Sequence, residues 1–259
     1  MPQLAALIFD VDGTIAQTER DGHRVAFNQA FAQAGLDWQW SVEFYGQLLE
    51  IPGGKERLRY YLQQYQSQFE PPQPLTEWIK TLHASKNQYQ QRRIAQGKIP
   101  LRPGIKRLIQ EARAAGLKLA IATTSALPNA MALLEYHLDP SWFTVIAAGD
   151  MVAHKKPAPD IYHYALRALQ LPPEQCLVLE DSAPGLRAAN QVGLCTVVTV
   201  NDYTRHQDLT TAQLVLSDLG EPDAPPAVLH GPPLNAACFD LSMAQALLNN
   251  VFNANTGNN

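Results

Sequence analysis

The chain has 259 residues, with 20 Lys and Arg against 24 Asp and Glu and a formal net charge of −4. Its 46% hydrophobic content suits one large domain or a core with an insertion, and it excludes disorder over most of the length. A pI near 6.0 with no Lys/Arg run argues against a nucleic-acid partner, and no stretch approaches the roughly 18 apolar residues of a membrane span.

Leu4 to Phe9 is a nearly continuous apolar run, the pattern of a strand buried on both faces, and it ends at the polar turn Asp10-Val11-Asp12-Gly13-Thr14. From about Ala16 to Gln96 the pattern is helical. Phe27, Ala30, Phe31 and Ala34 form one stripe, and Leu58, Tyr61, Leu62, Tyr65 and Phe69 another; a third helix follows Pro71-Pro72-Gln73-Pro74, around Leu75 to Ile94. From Pro100 onward, strands alternate with helices. Strands are expected at Leu117–Ala122, Val145–Ala147, Cys176–Leu179 and Cys195–Val200; helices are expected after Pro103-Gly104, over Pro128–Leu138, Asp160–Leu169 and Pro184–Val192. Glu221 to Pro233 holds five prolines and reads as a surface linker, Asp240 to Val251 as a further helix, and Asn253 to Asn259 as a disordered end. The expected architecture is α/β: a Rossmann-like parallel sheet with helices on both faces and an inserted all-helical cap. Its divisions are 1–15 (first strand and turn), 16–96 (cap), 97–220 (core) and 221–259 (linker, short helix and tail). The first residues lack a signal-peptide pattern, and Cys176, Cys195 and Cys238 are odd in number without metal-ligand spacing. A cytoplasmic protein with reduced thiols is the expectation.

In a parallel sheet the ligand crevice lies outside the carboxyl ends of the strands. Asp10 and Asp12 fall at one such end, and Glu180-Asp181 at another. Clustered carboxylates repel one another unless a hard cation joins them, and Mg²⁺ takes oxygen ligands while keeping sites for phosphate. Each Asp also reads as the cap of a following helix, but the two sites together favour a metal. Thr123, Thr124 and Ser125 offer hydroxyls and backbone N–H groups ahead of a helix, an anion site or simple capping. Lys156 sits in the proline-stiffened loop Lys155-Lys156-Pro157-Ala158-Pro159, where it is either a solvated lysine or an anion ligand. Hydroxyl, lysine and metal site at adjacent strand ends describe a phosphoryl-transfer centre.

In order and context, Asp10-x-Asp12-Gly13-Thr14, Thr123, Lys156-Pro157 and Glu180-Asp181 resemble the four motifs of the haloacid dehalogenase superfamily, over about residues 4 to 219. The resemblance implies that Asp10 is the nucleophile, forming an aspartyl-phosphate, and that Asp12 is the acid and then the base. It also implies Mg²⁺ held by Asp10, the Asp12 carbonyl and Asp181, with Glu180 nearby or in the outer sphere. Thr123, Thr124 and Lys156 would bind the phosphoryl group. Within the superfamily, Asp at position 12 points to a phosphatase or phosphomutase rather than a dehalogenase or phosphonatase, and Thr14 leans toward a phosphatase.

Glu19 and His23 are four apart near the start of the first cap helix, so they share its face; a plain surface Glu–His pair is the other reading. Gly53-Gly54-Lys55-Glu56-Arg57 leads into a helix with cations at its N-terminus, the unfavourable end of the dipole by a few tenths to about 1 kcal/mol each. A bound anion would reverse that sign; long, solvated side chains are the alternative. With Ser125, these residues look like the CbbY group of the superfamily, whose activity is removal of the phosphate on carbon one of xylulose 1,5-bisphosphate, a misfire product that inhibits Rubisco. The resemblance implies that Glu19, His23, Gly53, Gly54, Lys55, Arg57 and Ser125 bind the sugar and its distal phosphate. A β-phosphoglucomutase-like phosphomutase, a glycolate or general sugar-phosphate phosphatase, and a non-enzymatic binding protein are the rival readings. The implied partner is a small sugar phosphate. Oligomeric state is not readable, with a monomer favoured, and the plastid stroma replaces the cytoplasm if the source is a eukaryotic phototroph.

Overall fold

The computed structural model describes residues 2–51 and 53–256. The chain divides into two compact units, Met1–Gln17 with Pro100–Asn259, and Thr18–Ile99. Among the described residues the first unit holds one seven-stranded sheet. Its strands are β1 (Ala6–Phe9), β2 (Lys118–Ala122), β3 (Val145–Ala147), β4 (Cys176–Glu180), β5 (Cys195–Thr199), β6 (Leu214–Leu216) and β7 (Val228–His230), in the order β3-β2-β1-β4-β5-β6-β7. The first six run parallel, and β7 is antiparallel to β6.

The second unit contains α1 (Arg24–Gln33), α2 (Val42–Leu48), α3 (Gly54–Tyr65) and α4 (Leu75–Ala95), preceded by a π-helical turn over Thr18–His23. Its core is aromatic, with Phe27, Phe31, Trp40 and Tyr45 fully buried. The π-turn stands where an α-helix was expected. The short α2 had no expected counterpart; it is started by Ser41, whose hydroxyl accepts from Phe44 N at 3.1 Å.

The remaining helices are α5 (Ile105–Ala114), α6 (Leu127–His137), α7 (Asp160–Leu169), α8 (Ala183–Asn190) and α9 (Leu241–Thr256). Alternate strand residues Ala6, Ile8, Ala120, Ala122 and Val178 pack with Ile161, Tyr162 and Leu169 of α7 and Ala188 and Ala189 of α8. Their neighbours Leu7, Phe9, Leu119, Ile121, Leu177 and Leu179 are equally buried and point the other way, toward the layer formed by α5 and α9. Burial on both faces explains why these strands are unbroken apolar runs.

Two expectations for the C-terminal segment are corrected. The expected linker Glu221–Pro233 contains β7, three residues between proline pairs that still complete the sheet edge, where neighbouring prolines are tolerated. The disordered end expected from Asn253 begins inside α9, whose backbone continues to Thr256; its remainder, 257–259, lies outside the described residues. No helix among the described residues is long and apolar enough to cross a membrane.

Candidate active site

Strand register assembles the core site. Phe9 is level with Ile121 on one side and Leu179 on the other, so the next residue, Asp10, is brought beside Ala122 and Glu180. Lys156 closes this group from the loop before α7. Its Nζ donates to Asp10 Oδ1 at 2.7 Å, to the Ala122 carbonyl at 2.7 Å and to Glu180 Oε1 at 2.6 Å. All three ammonium protons are therefore committed, on a side chain only 4% exposed.

Glu180 is saturated. Besides Lys156, its Oε1 accepts from the Tyr162 hydroxyl at 2.6 Å, and its Oε2 accepts from Asp181 N at 3.1 Å and Ser182 Oγ at 3.4 Å. A Cβ on Gly185 would overlap this carboxylate, so glycine there makes room for it. Asp181 Oδ2 accepts from Asn201 Nδ2 at 2.7 Å. Gly13 (φ 87°) faces the same pair: a Cβ there would overlap Asp181 Oδ2 and sit 2.7 Å from Asn201 Nδ2.

The carboxylates of Asp10, Glu180 and Asp181 offer oxygens that all lie within 4.8 Å of one another. Burial, with help from Glu180 and Asp181, holds Asp10 well above the usual carboxylate range despite the opposing pull of Lys156. Burial and Glu180 push Asp181 up to about 7. Burial drags Lys156 down, but Asp10 and Glu180 outweigh it, and the ammonium is held well above its ordinary value. Two buried acids with raised pKa values beside a third carboxylate are a site short of positive charge. An all-oxygen donor set of this kind fits a hard divalent cation. Of the three carboxylates, Glu180 is the one whose two oxygens both already accept hydrogen bonds from the protein.

Asp12 is half-buried, and its Oδ2 accepts from Ser125 Oγ at 2.5 Å. Thr123 is 1% exposed; its N–H extends the sheet to Ala147 O at 3.0 Å, and its Oγ1 accepts from Ser125 N at 3.1 Å. Thr124 is half-buried, with its carbonyl packed so closely on Gly149 that a Cβ at position 149 would overlap it. The expected core residues thus share one group of loops, with Ser125 turned onto Asp12. Sequence reasoning missed Tyr162 and Asn201. Asn201 follows the end of β5 and could have been found by the strand-end rule, whereas Tyr162 carries no local signal.

A second polar cluster lies within the helical unit. The Tyr45 hydroxyl donates to Glu19 Oε2 at 2.7 Å and accepts from Arg57 Nη1 at 3.0 Å. Arg57 also donates to the Leu48 carbonyl at 2.9 Å and the Ile51 carbonyl at 3.3 Å. Arg57 is 7% exposed, which rules out the solvated alternative, and three of its N–H groups donate within the helical unit, two of them to carbonyls at and just past the end of α2. His23, expected to share a face with Glu19, also approaches Lys86 of α4. Its Nδ1 lies 2.6 Å from Lys86 Nζ; an ammonium only donates, so Nδ1 accepts, and a neutral ring carries its proton on Nε2. Lys55 is exposed at the start of α3. Gly53 (φ 93°) turns the chain into that helix, and Gly54 packs against His83, where a Cβ would lie 2.5 Å from Nε2. Burial first, then Lys86 and Lys55, lowers His83 to about 4, so this ring is neutral near pH 7.

Residues 4–193 match the family model of haloacid dehalogenase-like hydrolases. Protein CbbY of Cereibacter sphaeroides is 48% identical over 221 residues, covering 84% of this chain and 94% of that protein. A plasmid-encoded CbbY of Cupriavidus necator is 45% identical over 246 residues, 94% of this chain and 96% of that one, so that match runs past residue 221 into the C-terminal segment. Among solved structures, an aspartate-to-asparagine mutant of CbbY from Rhodobacter sphaeroides in complex with xylulose 1,5-bisphosphate superimposes with a TM-score of 0.73. It is 47% identical, and the match covers 85% of this chain and 96% of that one.

Proposed function

The chain belongs to the haloacid dehalogenase-like hydrolases and is a phosphatase, and we propose that it is Mg²⁺-dependent and converts xylulose 1,5-bisphosphate to xylulose 5-phosphate and phosphate. The observation that carries the reading is the buried group in which Lys156 joins Asp10 to Glu180 with Asp181 alongside. The substrate is proposed from the complex of a 47% identical CbbY with xylulose 1,5-bisphosphate.

In this reading Asp10 attacks phosphorus with a carboxylate oxygen, and the bond between phosphorus and the oxygen on carbon one breaks. The Asp12 carboxyl gives its proton to that leaving oxygen. An aspartyl-phosphate remains on Asp10. The Asp12 carboxylate then takes a proton from the water that attacks phosphorus, and phosphate leaves with Asp10 regenerated. Ser125 steadies Asp12 for both transfers. Thr123 and Lys156 bind the transferring phosphoryl oxygens, and Lys156 does so by exchanging its bond to Asp10 for one to phosphate. Asp10, Asp181 and the Asp12 carbonyl would hold Mg²⁺, with Glu180 outside the ligand set because its oxygens are already taken. When bound, the cation offsets the carboxylate charge that would otherwise repel an anionic substrate.

The helical unit supplies the sugar and distal-phosphate contacts. Lys55 is the exposed cation for the distal phosphate, at the α3 N-terminus. Glu19 and His23 Nε2–H address sugar hydroxyls, while Arg57 acts by holding Tyr45 and the α2–α3 corner.

The test is Mg²⁺-dependent phosphate release from xylulose 1,5-bisphosphate, with ribulose 1,5-bisphosphate and xylulose 5-phosphate in parallel. Release of one phosphate from the first substrate alone is expected. Equal release from monophosphates would overturn the substrate assignment, and phosphoryl return to the sugar without phosphate release would make the protein a mutase.

A further inference from the structure

Arg102 was not singled out by its sequence, yet it occupies an unusual place. It follows the bridge between Ala16 and Leu101, and its N–H donates to the Ile15 carbonyl at 2.9 Å. Its side chain is 4% exposed and turns into the core. There Nη1 donates to the carbonyls of Gly13 and Thr199, the latter at 2.9 Å, and Nη2 donates to those of Val200 and Ser217, each at 2.6 Å. One guanidinium therefore ties the loop after β1 to the ends of β5 and β6.

The choice of acceptors is informative. A guanidinium is costly to bury, and a carboxylate partner would recover most. Here the contacts are with neutral carbonyls, one of them on Gly13, which adjoins Asp12. Gly13 has a positive φ and no side chain, so rotation of its peptide is resisted by the hydrogen bonds at its two ends, Thr14 N–H to the Val11 carbonyl at 3.3 Å and Arg102 to the Gly13 carbonyl. A donor fixed on its carbonyl opposes that rotation, and rotation would carry Asp12 away from Ser125.

We propose that Arg102 is a positioning residue of the reaction, holding the Gly13 peptide and through it the Asp12 carboxyl where proton transfer occurs. This rests on the phosphatase reading above, but not on the identity of the sugar. The test measures kcat and KM of Arg102→Lys and Arg102→Gln, normalised to folded protein by circular dichroism, with xylulose 1,5-bisphosphate and with p-nitrophenyl phosphate. Lysine keeps the charge, but a point donor cannot serve four carbonyls. The expected result is a fall in kcat of about 10- to 100-fold on both substrates, with KM changed less than about three-fold. Wild-type turnover of p-nitrophenyl phosphate without turnover of the bisphosphate would sink the substrate reading alone, and Arg102 would then be judged on the aryl phosphate. A kcat per folded molecule within about two-fold of wild type in both variants overturns the proposal, as does full recovery of activity on cooling below their melting transitions.

Discussion

The hydroxyl of Ser125 donates to Oδ2 of Asp12 at 2.5 Å, joining the loop after β2 to the loop after β1. A carboxyl that must give and then take a proton within one turnover works only in a fixed orientation. Ser125→Ala is expected to lower kcat about ten-fold with little change in KM, and Ser125→Thr to retain most activity. An alanine variant at full kcat would show that the contact is incidental.

Asp10 is expected to be both essential and costly. Asp10→Asn should abolish phosphate release. Because burial and two neighbouring carboxylates oppose its charge, the same change should not lower, and should tend to raise, the melting temperature of the metal-free protein. A large loss of stability in thermal melts would contradict this picture of the site.

Asp181 makes the metal-free protein pH-sensitive. Its pKa is raised from 3.8 to about 7, chiefly by burial and next by Glu180. Between those values the unfolded chain has released the proton and the folded chain has kept it. This contribution to stability is therefore full below pH 3.8 and is lost as pH rises through about 7. A cation competes with that proton, so the midpoint of Mg²⁺-induced stabilisation should move to higher concentration as pH falls below about 7. Melting curves with and without millimolar Mg²⁺ across this range check both statements, and a pH-independent midpoint would exclude Asp181 as a ligand.

Removing Lys156 strips Asp10 and Glu180 of their shared cation. Lys156→Met should destabilise the protein by about 3 kcal/mol in urea unfolding at pH 8, less at acid pH, where the carboxylates take protons instead. It should also be inactive. A loss below about 1 kcal/mol would mean that the buried pair contributes little.

Lys55 and Arg57 should separate cleanly. Arg57→Ala removes donors from buried carbonyls and from Tyr45, at a cost of roughly 2–3 kcal/mol. Lys55→Ala, at an exposed position, should stay within about 0.5 kcal/mol of wild type but raise KM for a bisphosphate about ten-fold. Equal effects on stability, or an unchanged KM for Lys55→Ala, would remove the distal-phosphate role.

The core group was readable because each of its strands is an apolar run that stops abruptly at a polar residue. Phe9 gives way to Asp10, Ala122 to Thr123, and Leu179 to Glu180, and period and length suffice to see this. β7 was not readable: three residues between proline pairs have no periodicity to detect, and their strand character comes from the β6 edge they pair with. The same holds for Tyr162, an α7 core position by its spacing, whose hydroxyl has meaning only once β4 lies beneath it. The burial of Arg57 was not readable because a helix-start cation looks the same in sequence whether it faces water or folds back on carbonyls.

The amino-acid order by itself determined the alternation of buried strands and helices, the helical insertion after the first strand, and the acidic, hydroxyl and lysine residues at the strand ends. These follow from local hydrophobic period and from where it breaks. Only the tertiary structure decided that both Glu180 oxygens are filled by Lys156, Tyr162 and the Asp181–Ser182 turn, that Ser125 serves Asp12, and that Arg102 spans four carbonyls. The reason is that parallel strands are joined by long crossovers. Residues from distant parts of the chain become neighbours through register alone, and register is set by packing across the whole sheet, which no local window of sequence contains.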